Sequence, residues 1–301
     1  MSVAKEISPP AWFTRAVETP SEDRHVEVEG ARIHYLRWGQ PGRPGLLFVH
    51  GGFAHAHWWD FIAPAFAGQF CVAAIDLSGM GDSEPRPKYT GELFAKEVMS
   101  VCSDAGFAER PVVVGHSFGG FVAFKTGALY GDRLTGTVVA DFPFRPPDLQ
   151  QENDAKRRQL RPKHLYPSFD AALARFRLIP PQPCENDFIL DHIARHSLKQ
   201  VDGGWTWKFD DYLFDGFELG NIPQTLAQVS CRLAVIFGEQ SALFPPEIVT
   251  YASGLLSGRA PIITIPDAHH HLFLDQPLAF IETLRTLLAK WLHVGAEVTS
   301  L

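Results

Sequence analysis

The stretch Pro111-Val112-Val113-Val114-Gly115-His116-Ser117-Phe118-Gly119-Gly120 decides how this chain folds. Its first half is an apolar, β-branched run of the kind that makes a strand buried on both faces. Its second half opens the helical stretch Phe118–Tyr130. Between them stands Ser117, with glycines two positions away on either side. The spacing G-x-S-x-G fits a nucleophile elbow, a strand-to-helix turn so sharp that the serine backbone is strained and its neighbours must be small. Such a pattern also arises in ordinary loops, but a strand before it and a helix after it are the context that the motif demands.

Outward from the elbow, further apolar runs at Leu46–His50, Val72–Leu77, Val112–Gly115, Gly136–Ala140, Leu233–Gly238 and Pro261–Ile265 read as buried strands. Helical patterns at Gly91–Ala105, Phe118–Tyr130, Pro246–Leu256 and Pro277–Leu292 separate them. Ahead of these, His25–Val28 and Arg32–Arg37 flank the polar turn Glu29-Gly30, an antiparallel pair at an edge. Alternating strands and helices predict an α/β fold, doubly wound around a mostly parallel sheet. The alternation breaks once, between about Phe144 and Ser230, where charged segments such as Gln150–Arg161 mix with aromatic ones such as Trp205–Phe217. A core domain of residues 1–143 and 231–301 is therefore expected, with residues 144–230 inserted as a mainly helical cap. Val294–Leu301 reads as a frayed tail.

Composition excludes several classes of function. With 27 basic and 34 acidic residues the net charge is −7, which leaves no general basic face for nucleic acid. Hydrophobic residues at 46% suffice for a sizeable core. No run of about 20 apolar residues is present, and the opening MSVAKEISPPAWF lacks the core of a secretory signal, so a cytoplasmic protein without a membrane partner is expected. Cys71, Cys102, Cys184 and Cys231 show no metal or redox spacing. No phosphate-binding glycine motif follows an early strand, and no cofactor is expected. The basic group Lys156, Arg157, Arg158, Arg161 and Lys163 reads as a solvated helix face. As partner a small-molecule substrate is expected, to a chain that is a monomer or a homodimer.

A serine hydroxyl is a weak nucleophile and needs a base. Late in the chain, Pro266-Asp267-Ala268-His269-His270-His271-Leu272-Phe273-Leu274-Asp275-Gln276-Pro277 offers three adjacent histidines. Three consecutive side chains do not converge on one point, so no metal is expected there. With the elbow, this segment resembles the α/β-hydrolase superfamily, specifically its cap-bearing esterases, lactonases and C–C bond hydrolases. The resemblance spans about residues 24 to 292 and is weakest over the insertion. It implies that the base stands seven residues before the proline opening the last helix, which is His270. His50-Gly51-Gly52-Phe53 resembles the family's oxyanion loop, implying backbone N–H donors at Gly52 and Phe118 and a pocket wall at Phe53. Asp76-Leu77-Ser78-Gly79-Met80-Gly81-Asp82-Ser83 resembles the family's turn after its fourth strand, a matter of turn chemistry.

The third member of the triad departs from the commonest family pattern, because Gly238-Glu239-Gln240-Ser241 puts a serine where many relatives carry aspartate. Asp141, at the end of the preceding strand, and Glu239 are the two substitutes, with Asp141 favoured. Asp267 and Asp275 read as structural. Trp58 and Trp59 pack the oxyanion loop or line the pocket. Trp59, Trp205 and Trp207 are assigned to the substrate site with Phe53, although cap aromatics equally serve as glue between cap and core. The resulting expectation is a serine hydrolase of a small, largely apolar ester or lactone. A C–C hydrolase of a ring-cleavage diketone and a non-catalytic ligand receptor are the alternatives.

Overall fold

The computed structural model describes residues 9–146 and 165–296, with side chains described through 292. The basic group between Lys156 and Lys163 and the segment Gln150–Arg161 lie outside the described residues. After a short helix α1 (Ala11–Val17) come the hairpin strands β1 (Glu22–Val28) and β2 (Ala31–Trp38). The parallel strands follow as β3 (Gly45–Val49), β4 (Cys71–Ile75), β5 (Val112–His116), β6 (Gly136–Ala140), β9 (Arg232–Gly238) and β10 (Ile262–Ile265). They form one eight-stranded sheet in the order β1-β2-β4-β3-β5-β6-β9-β10. Only the pairings of β1 with β2 and of β2 with β4 are antiparallel.

The continuous apolar runs make the central strands because helices cover both faces. All five residues of β3, β4, β5 and β6 are buried. One face packs against α2 (Gly91–Asp104) and α3 (Phe118–Tyr130), through residues such as Phe94, Phe121 and Phe124. The other packs against the last helix, Pro277–Ala296, through Phe280, Leu284 and Trp291. Thr90 caps α2 by accepting from the Leu93 N–H. The last helix continues to Ala296, inside the stretch read as a tail. No described helix is long and apolar enough to cross a membrane.

Between β6 and β9, the described part of the insertion contains α4 (Phe169–Leu173), α5 (Asp187–His196), the hairpin β7 (Leu198–Val201) and β8 (Gly204–Trp207), and α6 (Ile222–Gln228). The expectation of helices missed the hairpin. The alternation in Trp205-Thr206-Trp207 is strand periodicity, with Thr206 buried between two partly exposed tryptophans. The insertion is fastened to the turn after β4: Gly81 N–H donates to Lys208 O at 2.8 Å and Asp210 N–H to Gly79 O at 2.7 Å. Tyr89 adds a 2.6 Å hydrogen bond from its hydroxyl to Asp210.

Candidate active site

Ser117 sits between β5 and α3 with φ +53° and ψ −119°, a conformation rare for any residue but glycine. The flanking glycines are required sterically. A Cβ on Gly115 would strike the backbone of Gly119, and one on Gly119 would strike the carbonyls of His50 and Val49. The strained turn is held by Ser117 N–H donating to Ala140 O at 2.7 Å. It places the serine at the carboxyl end of the sheet, next to the loops that follow β3, β6 and β10.

Those loops deliver the other two side chains. His270 Nε2 lies 3.0 Å from Ser117 Oγ, and His270 Nδ1 lies 2.8 Å from Asp141 Oδ1. Because a carboxylate only accepts, His270 bears its proton on Nδ1 and leaves the Nε2 lone pair facing the serine. Asp141 is fully buried at the end of β6, where its φ of +49° turns the chain back toward the site. Its Oδ2 accepts from Gly238 N–H at 2.9 Å, and its Oδ1 also accepts from Ser241 Oγ at 2.7 Å. Ser241, at the position where many relatives carry aspartate, thus supports the carboxylate that stands across from it. Glu239 is exposed and accepts from the Asp267 N–H instead, so it is not brought to the histidine.

The three adjacent histidines part ways. His269 turns to Asp275, which accepts from both its backbone N–H and its Nδ1. His271 packs beside Trp58 and His116, and its N–H donates to Gln182 of the insertion. His116, the residue before the serine, was given no role from sequence. Its Nε2–H donates to the carbonyl of His270 at 2.9 Å and pins the loop that carries His270. Burial, together with the neighbouring His270, pushes both His116 and His271 well below the ordinary histidine range, so both are neutral.

The glycine loop after β3 lies against the elbow, with Gly51 next to His116 and Ser117, and Gly52 next to Phe214 and Phe118. His50 braces it as expected: Nδ1–H donates to Gly51 O at 2.7 Å and Nε2 accepts from Leu77 N–H at 3.1 Å. Phe118 opens α3, so its N–H has no acceptor within the helix. Asp76, buried beneath this loop, accepts from His34, from Ala56 N–H and from Asp82 N–H. Burial opposes its charge, but the hydrogen bond from His34 and the neighbouring histidines His50 and His55 hold its carboxyl well below the usual carboxylate range.

A cavity of roughly 160 Å³ adjoins the loop, lined on the core side by Gly52, Phe53, His55 and Trp58. The insertion supplies its other wall, including Phe176, Leu178, Trp207 and Phe209, with Arg175 and Arg177 at its exposed side. Phe53 and Trp207 line this cavity, whereas Trp59 and Trp205, also assigned to the substrate site, do not. Trp59 is fully buried in the core, stacked between Phe48 at 4.7 Å and Phe273 at 4.5 Å, and its neighbour Trp58 faces the cavity. Trp205 packs edge-on against Phe169, two residues further out along β8 than the cavity wall.

Three groups of side chains among the described residues have the chemistry to hold a cation: His116 with His270 and His271, His57 with Asp60 and His196, and His34 with Asp76 and Asp82. A cation in the first group would occupy the lone pair that faces Ser117.

Comparison with known proteins agrees with this fold. Residues 46–283 match the model of the alpha/beta hydrolase family. The chain is 25% identical to "Esterase Rv0045c" of Mycobacterium tuberculosis over 274 residues, covering 87% of this chain and 88% of that protein. It is 39% identical to the "Soluble epoxide hydrolase" of Corynebacterium sp. over 98 residues, 32% of this chain and 33% of that enzyme. Among solved structures, E-2-(acetamidomethylene)succinate hydrolase superposes with a TM-score of 0.76 at 20% identity, covering 90% of this chain and 100% of the other. That likeness is one of fold. With the family model spanning more than three quarters of its length, the chain belongs to the alpha/beta hydrolase family.

Proposed function

We propose that this chain is a serine hydrolase that cleaves a carboxylic ester or lactone of a small, largely apolar molecule. The observation that carries the reading is the unbroken line from Ser117 Oγ through both ring nitrogens of His270 to Asp141. In this mechanism His270 takes the hydroxyl proton as Ser117 Oγ attacks the carbonyl carbon, and Asp141 stabilises the imidazolium. The N–H groups of Gly52 and Phe118 receive the developing oxyanion. His270 then gives its proton to the leaving oxygen. Water, deprotonated by the same histidine, hydrolyses the acyl-serine.

Serine as nucleophile also argues against epoxide opening, despite the partial likeness to epoxide hydrolases. Attack of a hydroxyl on an epoxide carbon would leave an ether that water cannot cleave from Ser117. Residues 144–230 act as a cap in this reading, and the cavity between that segment and the oxyanion loop holds the acyl or alcohol group. Its modest volume favours short groups. No step requires a metal or an organic cofactor.

Turnover of a chain-length series of p-nitrophenyl esters, a small lactone and a ring-cleavage diketone by wild type and Ser117→Ala tests the proposal. Ester or lactone hydrolysis that disappears in the variant is expected. Turnover of the diketone alone would replace the reading with C–C hydrolysis, and hydrolysis surviving in Ser117→Ala would end it.

A further inference from the structure

A second cluster of titratable side chains lies where α5 of the insertion meets the loop after β3. One ligand atom from each of His57, Asp60 and His196 lies within 4.8 Å of the others. His57 Nδ1–H and His192 Nε2–H both donate to Asp60 Oδ2, each at 2.8 Å. His196 Nδ1–H donates to the carbonyl of His192 at 2.8 Å, and its ring stacks on His57 with centroids 4.1 Å apart. His192 and His196, four residues apart, share one face of α5.

We propose that His57, Asp60 and His196 bind a divalent transition-metal ion of the zinc or cobalt class and so clamp the insertion onto the core. Two imidazoles and a carboxylate suit such an ion, whereas calcium and magnesium favour all-oxygen sets. The backbone carbonyl that holds His196 Nδ1–H fixes the tautomer and leaves the Nε2 lone pair available, the outer bonding found in metal-ligating histidines. His192 serves as a positioning residue, its Nε2–H orienting the Asp60 carboxylate. The side chains of His57, Asp60 and His192 keep 22%, 12% and 16% of their exposure, so a cation can reach the group.

Binding requires modest rearrangement. Bonds of about 2.0–2.2 Å put ligand atoms roughly 3.3 Å apart, so His57 Nδ1 and Asp60 Oδ2, now 2.8 Å apart, part slightly, and the partly exposed rings of His57 and His196 rotate out of their stack until their lone pairs meet at the ion. The ion displaces the proton on His57 Nδ1, which leaves to solvent, and water fills the remaining position. The ligands come from two segments far apart in sequence, and each is positioned without the ion: His57 by the turn Ala56–Trp59, His196 by α5. Ser197 and His55, next to the cluster, line the cavity, so the clamp would fix one wall of it.

The test uses the full chain stripped with a chelator and titrated with Co²⁺, read by equilibrium dialysis, visible absorption and thermal melting. The expected result is one Co²⁺ per chain, ligand-field bands of a nitrogen-oxygen site and a raised Tm. His57→Gln and His196→Gln each weaken binding at least about tenfold, and His192→Ala by roughly 10- to 100-fold with the stoichiometry kept. His270→Ala binds as wild type does. Circular dichroism checks each variant, and because His57 and His196 lie on separate elements, a folding defect in one leaves the other informative. Absence of binding at millimolar Co²⁺ overturns the proposal. So does binding that survives both glutamine substitutions and is lost in His270→Ala, which places the ion on the buried histidines beside the serine. Displacement of Co²⁺ by equimolar Ca²⁺ overturns the assigned class of ion.

Discussion

Two histidine–serine pairs stand within the same molecule. His270 Nε2 lies 3.0 Å from Ser117 Oγ, and His55 Nε2 lies 2.8 Å from Ser197 Oγ, the second pair on the wall of the cavity. Distance alone would rank the second above the first. The third partner reverses that order. Asp141 holds His270 Nδ1–H, so Nε2 is an acceptor and Ser117 gives it a proton. Ser197 instead gives its single proton to the carbonyl of Ile193 at 2.8 Å, so His55 must donate to it. His55 Nδ1 has no partner among the described residues, and burial pushes the ring well below the ordinary histidine range. In the proposed mechanism one pair is a base facing a nucleophile, and the other is a neutral hydrogen bond at the end of a helix. The carboxylate behind the ring makes the difference.

The largest test of this contrast is Ser117→Ala, expected to lower kcat by about 10⁴- to 10⁶-fold while the melting curve keeps its cooperativity. Survival of most activity would shift attention to the other serine. Asp141→Asn is expected to cost on the order of 10⁴-fold in kcat, since an amide that donates to Nδ1 imposes the wrong tautomer. If Glu239→Gln proved the more damaging of the two, the acid would have been misplaced. Ser241→Ala removes one of the donors to Asp141, and a kcat loss of about 10- to 100-fold with little change in KM is expected. Ser197→Ala should act mainly on KM, by less than about tenfold, because the cavity wall changes and the chemistry does not. A kcat defect approaching that of Ser117→Ala would erase the distinction between the pairs.

The smallest effect is on stability as a function of pH. His55, His116 and His271 are all held neutral by burial, with folded pKa values well below the 6.5 of an unperturbed histidine. Their contribution is complete above 6.5 and declines as pH falls, because below that value the unfolded chain takes up protons that the folded chain refuses. Thermal melting from pH 8 down to 5 should show a declining Tm. A Tm that rose over that interval would mean that these rings are charged in the folded protein.

How far the sequence could be read followed from how local each signal is. The strands appear as apolar runs because each is buried on both faces by its own neighbours, and the elbow is legible because Gly115 and Gly119 are required within five residues of chain. His270 stands out among three adjacent histidines only by its distance from Pro277, a spacing that the resemblance to the family implies. The hairpin at Leu198–Trp207 was missed because its alternation is four residues long per strand and one strand is mostly polar and exposed. The Trp58 and Trp59 side chains sit on a single turn of 3₁₀-helix and both touch Phe273, but only Trp58 also borders the cavity, a one-residue question that depends on Phe48 packing onto Trp59 from elsewhere. The cavity residues Arg175, Arg177 and Phe209 carry no motif. They meet only because the insertion folds back over the β3 loop.

The hydrogen bond between Ser241 and Asp141 has a meaning for descent as well as for support. The two side chains stand just past the ends of β9 and β6, neighbours in the sheet, and their oxygens are 2.7 Å apart. A carboxylate at 241 would thus start within hydrogen-bonding reach of the oxygen that holds His270 Nδ1. A lineage could pass the duty from one strand to the next by two substitutions, Ser241→Asp and Asp141→Ser. The order of those steps is constrained: gaining the second acid first leaves two carboxylates competing for one proton, a state that still offers His270 one charged partner. Losing Asp141 first leaves none. The gain-first path is the passable one, and Ser241 marks where the acid could arrive.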